Sequence, residues 1–115
     1  MTEDPRNAIR DDAVLSAMLT LSKRLGYANV TRGQVAETSG LSPASVSNYG
    51  RTQITNGEHP RGDPIMPRLQ AAAMRRAVET GDLELIAQGI AGRHPIAMDA
   101  PEQLRAAALA SAAAA

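Results

Sequence analysis

Residues 31–50, TRGQVAETSGLSPASVSNYG, contain the signals for a helix start, a helix end and a second helix start. Thr31 can cap the first helix through its hydroxyl group, and Gly40 can end it, because glycine adopts the left-handed conformation without a Cβ clash. Ser42 followed by Pro43 predicts a second helix, since a hydroxyl side chain caps and proline suits the first helical position. The stretch therefore predicts two short helices joined by a tight turn.

Apolar residues in this stretch indicate how the two helices would pack. Val35 and Ala36 face inward from the first helix, and Ala36 is small where the helices would touch. Leu41 would fill the turn, and Val46 and Tyr49 return to the core at helical spacing. Two helices joined in this way form a helix-turn-helix unit, whose second helix enters the major groove of duplex DNA. The alternative is an ordinary helical hairpin that uses the same caps.

The composition favours an all-α fold with an aliphatic core. The 115 residues include no Phe, Trp or Cys and only two Tyr, and alanine is abundant; alanine favours helices over strands. We expect an all-α helix-turn-helix bundle of about five to six helices. Residues 1–98 would form one helical domain with the helix-turn-helix at 31–50, and residues 99–115 a C-terminal helix with an alanine-rich tail.

The charge distribution matters more for function than the net charge of zero. Residues 23–76 contain eight cationic side chains against three carboxylates, a net charge of +5, whereas residues 1–22 carry −2 and residues 77–115 carry −3. The positive excess thus falls on the segment with the motif, as a phosphate-binding surface would require, although a chance cluster on a solvated face is the alternative. No apolar run is long enough to cross a bilayer, and the polar N-terminus does not resemble a signal peptide, so we expect a cytoplasmic protein.

Further helices are predicted on both sides of the motif. The first spans residues 4–25, with an inward stripe formed by Val14, Ala17, Met18, Leu21 and Leu25. The next spans residues 64–80, with solvent-facing Arg68, Arg75 and Arg76. Another begins at Asp82 and ends at Gly92, with an apolar stripe of Leu83, Ile86, Ala87 and Ile90. The last begins at a capping box over residues 99–102, with Leu104, Ala108 and Leu109 facing inward. Residues 106–115 predict a frayed alanine helix, with a degradation signal as the alternative hypothesis.

Residues 51–63 predict a loop with one notable dipeptide. Asn56-Gly57 is a strong hairpin signal, so a small β-hairpin wing near 51–61 could carry Arg51, His59 and Arg61 to DNA phosphates. Pro60 would confine its second strand to an edge, and an irregular loop is the alternative.

The N-terminal residues, about 11–50, resemble the DNA-binding domain of TetR-type transcriptional regulators. A first helix ends in Gly26-Tyr27, and Thr31 opens a second helix that contains Val35-Ala36. Gly40-Leu41-Ser42 then leads to a helix that ends in an aromatic residue, Tyr49. The resemblance implies a helix-turn-helix fold and binding of operator DNA.

The sequence departs from that family after the motif. Gly50-Arg51 and a polar stretch stand where the family continues with a Phe-Gly-Ser-Lys-like segment. About fifty residues follow Asp63, too few for the family's effector-binding domain with a drug-sized pocket. We therefore expect no small-molecule ligand, and a compact regulator of phage or mobile-element type.

Positions on the motif predict roles on DNA. Arg32 and Thr31, with the backbone at the start of the first motif helix, would meet phosphates. Asn48 could bind adenine through its amide, and Ala44 could contact a thymine methyl group. The hydroxyl groups of Ser47 and Tyr49 suit phosphates. The full set of predicted contacts is Thr31, Arg32, Ser42, Pro43, Ala44, Ser45, Ser47, Asn48, Tyr49 and Arg51.

The sequence favours a binding protein over an enzyme. His59 and His94 have no metal-ligand spacing, there is no thiol, and no phosphate-binding GxxxxGK[ST] run occurs, so we expect neither a metal nor a cofactor. We expect a homodimeric transcriptional regulator of double-stranded DNA, a repressor rather than an activator. Two alternatives remain: a phage packaging protein resembling a terminase small subunit, and a module that binds another regulator or a polymerase.

Overall fold

The computed structural model describes residues 5–49 and 64–114, and every regular element in these residues is helical. A short 3-10 helix, Tyr27–Asn29, joins the first two α-helices. The seven α-helices are α1 (Pro5–Leu25), α2 (Arg32–Ser39), α3 (Pro43–Ser47), α4 (Ile65–Thr80), α5 (Leu83–Ala91), α6 (Pro95–Met98) and α7 (Glu102–Ala114). The all-α prediction is confirmed. The predicted wing near 51–61, with Arg51, lies outside the described residues.

Helix α1 is the element on which both halves of the chain pack. It contacts α2 and α3 on the motif side and α4 and α5 on the C-terminal side, while α7 packs on α5. The core is aliphatic, as the composition predicts, and its largest fully buried side chains include Met18, Leu69, Met74, Leu85 and Ile86. Burying such side chains contributes about 1.5–3 kcal/mol each. Helices α1 and α4 pack on each other, and α1 carries the two motif helices.

The junction between α1 and α2 is fixed by a side chain of α5. The Gln88 carboxamide accepts a hydrogen bond from the Tyr27 backbone N–H at 3.1 Å and donates one to the Ser22 carbonyl at 3.0 Å. Tyr27 itself is buried, as predicted, and a Cβ atom on Gly92 would collide with its hydroxyl group. The start of the motif is therefore held by hydrogen bonds and close packing from the C-terminal half.

Two predicted inward-facing leucines are more exposed than expected. Leu25 is the last residue of α1 and is exposed, and Leu109 on α7 is 52% exposed. Leu85, which the predicted α5 stripe leaves out, is fully buried. Helix α5 packs against both α4 and α7, so its buried surface is wider than a single stripe.

Two further predictions about the C-terminal half are wrong, and one helix there was not predicted. Arg68 is not on the solvent side: it is buried, next to Leu69 and one turn before Ala72, because the buried surface of α4 extends to this row of residues. Helix α5 ends at its C-terminal cap Gly92 as predicted, but a further helix that the sequence does not predict, α6, begins at Pro95 and is capped by His94. Asp99 ends α6 rather than capping α7, which begins at Glu102.

Candidate nucleic-acid interface

The first motif helix, α2, begins with a complete capping box. The Thr31 hydroxyl accepts a hydrogen bond from the Gln34 backbone N–H at 3.2 Å, and the Gln34 side chain accepts one from the Thr31 N–H at 2.9 Å. Two backbone donors that the helix leaves without an internal partner are satisfied in this way. The predicted cap at Thr31 is confirmed, and its side chain stays at the surface.

The turn between α2 and α3 has the predicted geometry. Gly40 lies in the left-handed region with φ of 74°, and the Leu41 N–H donates to the Ala36 carbonyl at 3.1 Å. Ser42 caps α3 by accepting a hydrogen bond from the Ser45 N–H at 3.2 Å, and Pro43 occupies the first turn. Each backbone signal in the stretch thus forms the local structure that it predicts.

Helix α3 has a buried side and an accessible side. Val46 is fully buried and anchors the helix on α1 and α2. Ser45 and Ser47 are half-buried at the edges of the accessible side. Of the predicted contact residues from Ser42 to Tyr49, the exposed ones are Ser42, Pro43, Ala44 and Asn48. Asn48, whose amide is predicted to contact bases, is thus an exposed residue next to α3.

The end of α3 comes earlier than predicted. The helix stops at Ser47, and Asn48 is its C-terminal cap with φ of −92° and ψ of 6°. The Tyr49 N–H still donates to the Val46 carbonyl at 3.0 Å, so both residues continue the last turn. Asn48 therefore keeps a defined backbone position although it lies outside the regular helix.

Arg32 is brought next to α3 by the turn. Its Nη1 atom donates a hydrogen bond to the Ser47 hydroxyl at 3.0 Å, across fifteen positions of sequence. Helix α3 contains no Arg or Lys of its own. Arg32 thus supplies a cation beside the accessible side of α3, and the predicted contacts Thr31, Arg32 and Ser47 lie together.

Tyr49 is half-buried, and its ring packs against the core. Burial raises the pKa of its phenol above the ordinary value of 10.0, and the nearby carboxylate of Asp11 raises it further, while Arg75 and Arg76 oppose the shift. The hydroxyl therefore stays protonated at neutral pH and can donate a hydrogen bond. This is the state that the predicted phosphate contact requires.

The cations of the basic segment do not all serve one surface. Lys23 pairs with Asp82 at 2.7 Å, and this hydrogen bond raises the pKa of the lysine. Arg68 is buried. The exposed cations of this segment among the described residues are Lys23, Arg24, Arg32, Arg75 and Arg76, of which Lys23 is paired with Asp82. The positive charge available at the motif is therefore smaller than the sequence count suggests.

The role of Arg68 in this region is not predicted by the sequence. Its Nη1 atom donates a hydrogen bond to the Tyr49 carbonyl at 3.0 Å, at the end of the α3 turn. The sequence around residue 68 does not predict this contact, because an arginine at the margin of an apolar stripe usually faces solvent.

A cleft among the described residues lies away from the motif helices. A cleft of about 530 Å³ between α5 and α7 is lined by Glu84, Ala87, Gln88, Ser111 and Ala112, none of which belongs to α2 or α3. Residues 5–49 and 64–114 hold no cluster of three or more side chains suited to binding a metal ion. None of the helices in these ranges combines the length and apolar character needed to cross a membrane.

Comparisons of the chain with protein-family models, curated proteins and solved structures gave no match.

Proposed function

We propose that this protein binds double-stranded DNA in a sequence-specific way and regulates transcription, acting as a repressor. Helix α3 and the residues that follow it would enter the major groove, with Asn48 facing base edges and Arg32 facing a phosphate. The proposal requires no cofactor and no catalytic step, and it places the protein in the cytoplasm with the DNA.

The observation that carries this proposal is the accessible side of α3 with an arginine beside it. Helix α3 has five residues, so base contacts would come both from Pro43 and Ala44 at its N-terminus, the part of a recognition helix that contacts base edges, and from Asn48 at its C-terminal cap. Asparagine can form two hydrogen bonds to adenine, and arginine is well suited to phosphate oxygens. Pro43 and Ala44 are exposed apolar side chains that can pack against thymine methyl groups.

We propose a homodimer because this surface is small. One α3 helix reads only a few base pairs, whereas two copies related by a two-fold axis would read half-sites about 34 Å apart on one side of the duplex. We therefore propose a palindromic target.

Selection from random duplex DNA, followed by footprinting of the enriched sequence, tests the proposal. The expected result is an enriched motif of two inverted half-sites, with protection centred on each. Recovery of random sequence, together with no retarded complex at low salt, would exclude DNA recognition and favour a module that binds a protein partner. A specific complex with a ring-shaped oligomer would instead favour a packaging protein.

A further inference from the structure

A charged hydrogen bond joins α4 to Tyr49, two residues beyond the end of α3. Arg68 is only 9% exposed, and its Nη1 atom lies 3.0 Å from the Tyr49 carbonyl oxygen. Nineteen positions separate the two residues in the sequence, so the contact is tertiary rather than local.

The carbonyl groups at a helix end need donors from elsewhere. The last four carbonyls have no partner within the helix, and the end carries partial negative charge, so a cation there is favourable. The Asn48 and Tyr49 N–H groups already donate back to carbonyls of α3, which keeps the Tyr49 carbonyl close to that end. The buried guanidinium of Arg68 supplies a charge-assisted donor at this position.

Helix α4 can act as a fixed support for that donor. Its Leu69, Ala73 and Met74 side chains are fully buried, and the helix packs on α1 and α5. Helix α3 rests on α1 and α2 and is anchored by the small side chain of Val46. A hydrogen bond from α4 to Tyr49 therefore restrains the residues that directly follow α3, at the end opposite the capped turn.

We propose that Arg68 is a positioning residue for DNA recognition, which fixes the last turn of α3 so that Asn48 keeps one orientation. This inference rests on the proposed function. Arg68 itself is buried and does not contact DNA. Its loss should therefore reduce discrimination between sequences without removing a phosphate contact.

Replacement of Arg68 by Met tests this role, since methionine keeps much of the aliphatic length and removes the donor and the charge. We expect the ratio of affinities for the selected duplex and a scrambled duplex to fall about tenfold, with an unchanged dependence of affinity on salt. Arg68→Lys, which keeps the charge, should recover part of the ratio. Arg75→Met, a loss of the same charge on the exposed side of α4, is the matched control and should keep the full ratio.

Amide hydrogen exchange gives a second readout that does not involve DNA. In Arg68→Met the amides of Asn48 and Tyr49 should exchange at least several-fold faster, whereas core amides of α1, such as Met18, should be unchanged. If Arg68→Met fails to fold, the same comparison is made on Arg68→Lys, where a smaller increase at the same two amides is expected.

Two results would overturn the inference, and they differ from a failure of the proposed function. An unchanged affinity ratio and unchanged exchange in folded Arg68 variants would show that the contact positions nothing. A salt dependence reduced by about one unit would make Arg68 a phosphate contact instead. If the wild-type protein itself does not discriminate between duplexes, the proposed function fails first, and this role of Arg68 fails with it.

Discussion

Ser22 lies in the middle of the core with a hydroxyl group that has no hydrogen-bond partner among the described residues. A buried polar group without a partner costs free energy, and alanine is the better helix former. We predict that Ser22→Ala raises the free energy of unfolding by about 1 kcal/mol. Urea denaturation measures the change, and Ser16→Ala, on the exposed side of α1, controls for helix propensity. If Ser22→Ala instead lowers the free energy of unfolding relative to that control, the Ser22 hydroxyl makes a hydrogen bond in solution.

His94 makes the stability of the α5–α6 corner depend on pH. Its Nδ1 atom accepts a hydrogen bond from the Ile96 N–H at 3.2 Å, and its ring meets the Tyr27 ring edge-on at 5.7 Å. Burial lowers the pKa of His94 below its ordinary value of 6.5, and the positive charge of Arg75 lowers it further. A protonated Nδ1 could not accept the capping hydrogen bond, so the fold favours the neutral form.

The sign of the pH effect follows from this preference. Between the lowered pKa and 6.5 the unfolded chain binds more protons than the folded one, so stability rises with pH in this window. We predict that the contribution is complete above pH 6.5 and is lost as the pH falls through the pKa of the folded state. Denaturation curves of wild type and His94→Asn, which keeps an N-cap acceptor but does not titrate, measure it. Parallel pH profiles of the two proteins would contradict the assignment.

At the scale of elements, the α2–α3 turn depends on backbone conformation rather than on space. A Cβ atom on Gly40 would meet no atom within 4 Å, but its φ of 74° is unfavourable for any other residue. Gly33 in α2 has the same open surroundings without a positive φ. We predict that Gly40→Ala lowers the free energy of unfolding by about 1 kcal/mol and that Gly33→Ala raises it by up to about 1 kcal/mol. Equal effects in thermal unfolding would show that the turn imposes no left-handed geometry.

The same elements show what sequence patterns could predict. The caps at Thr31, Ser42 and Asp82 and the helix end at Gly40 were predictable, because each depends on residues within four positions. The solvent-accessible side of α3 followed from the inward position of Val46.

Tertiary packing decided the features that the sequence did not predict. Arg68 is buried on the side of α4 that also holds Leu69 and Ala72, and its partner Tyr49 lies nineteen positions away, so no local pattern around residue 68 predicts the contact. Helix α6 was missed because its cap is a histidine, a side chain rarely considered for this position. Leu85 is buried because α5 packs between α4 and α7, which its own periodicity does not show.

At the scale of the whole molecule, a protein with a net charge of zero would bind polyanionic DNA through few cations. We predict that Arg32→Ala weakens binding to all duplexes alike and reduces the slope of log affinity against log salt by about one unit. Ser47→Ala removes the hydroxyl that Arg32 contacts but keeps the cation, so its slope should equal that of the wild type. A titration at several salt concentrations distinguishes them. If Arg32→Ala leaves the slope unchanged, Arg32 makes no phosphate contact.

The central claim is that the accessible side of α3 reads base sequence, and the most direct measurement is the affinity ratio of Asn48→Ala. The ratio compares the selected duplex with a scrambled duplex at one salt concentration. We predict that Asn48→Ala lowers this ratio by an amount equivalent to roughly 1–3 kcal/mol of binding free energy, as for a lost bidentate base contact. The affinity for the scrambled duplex should be unchanged. An unchanged ratio, or equal losses on both duplexes, would contradict it.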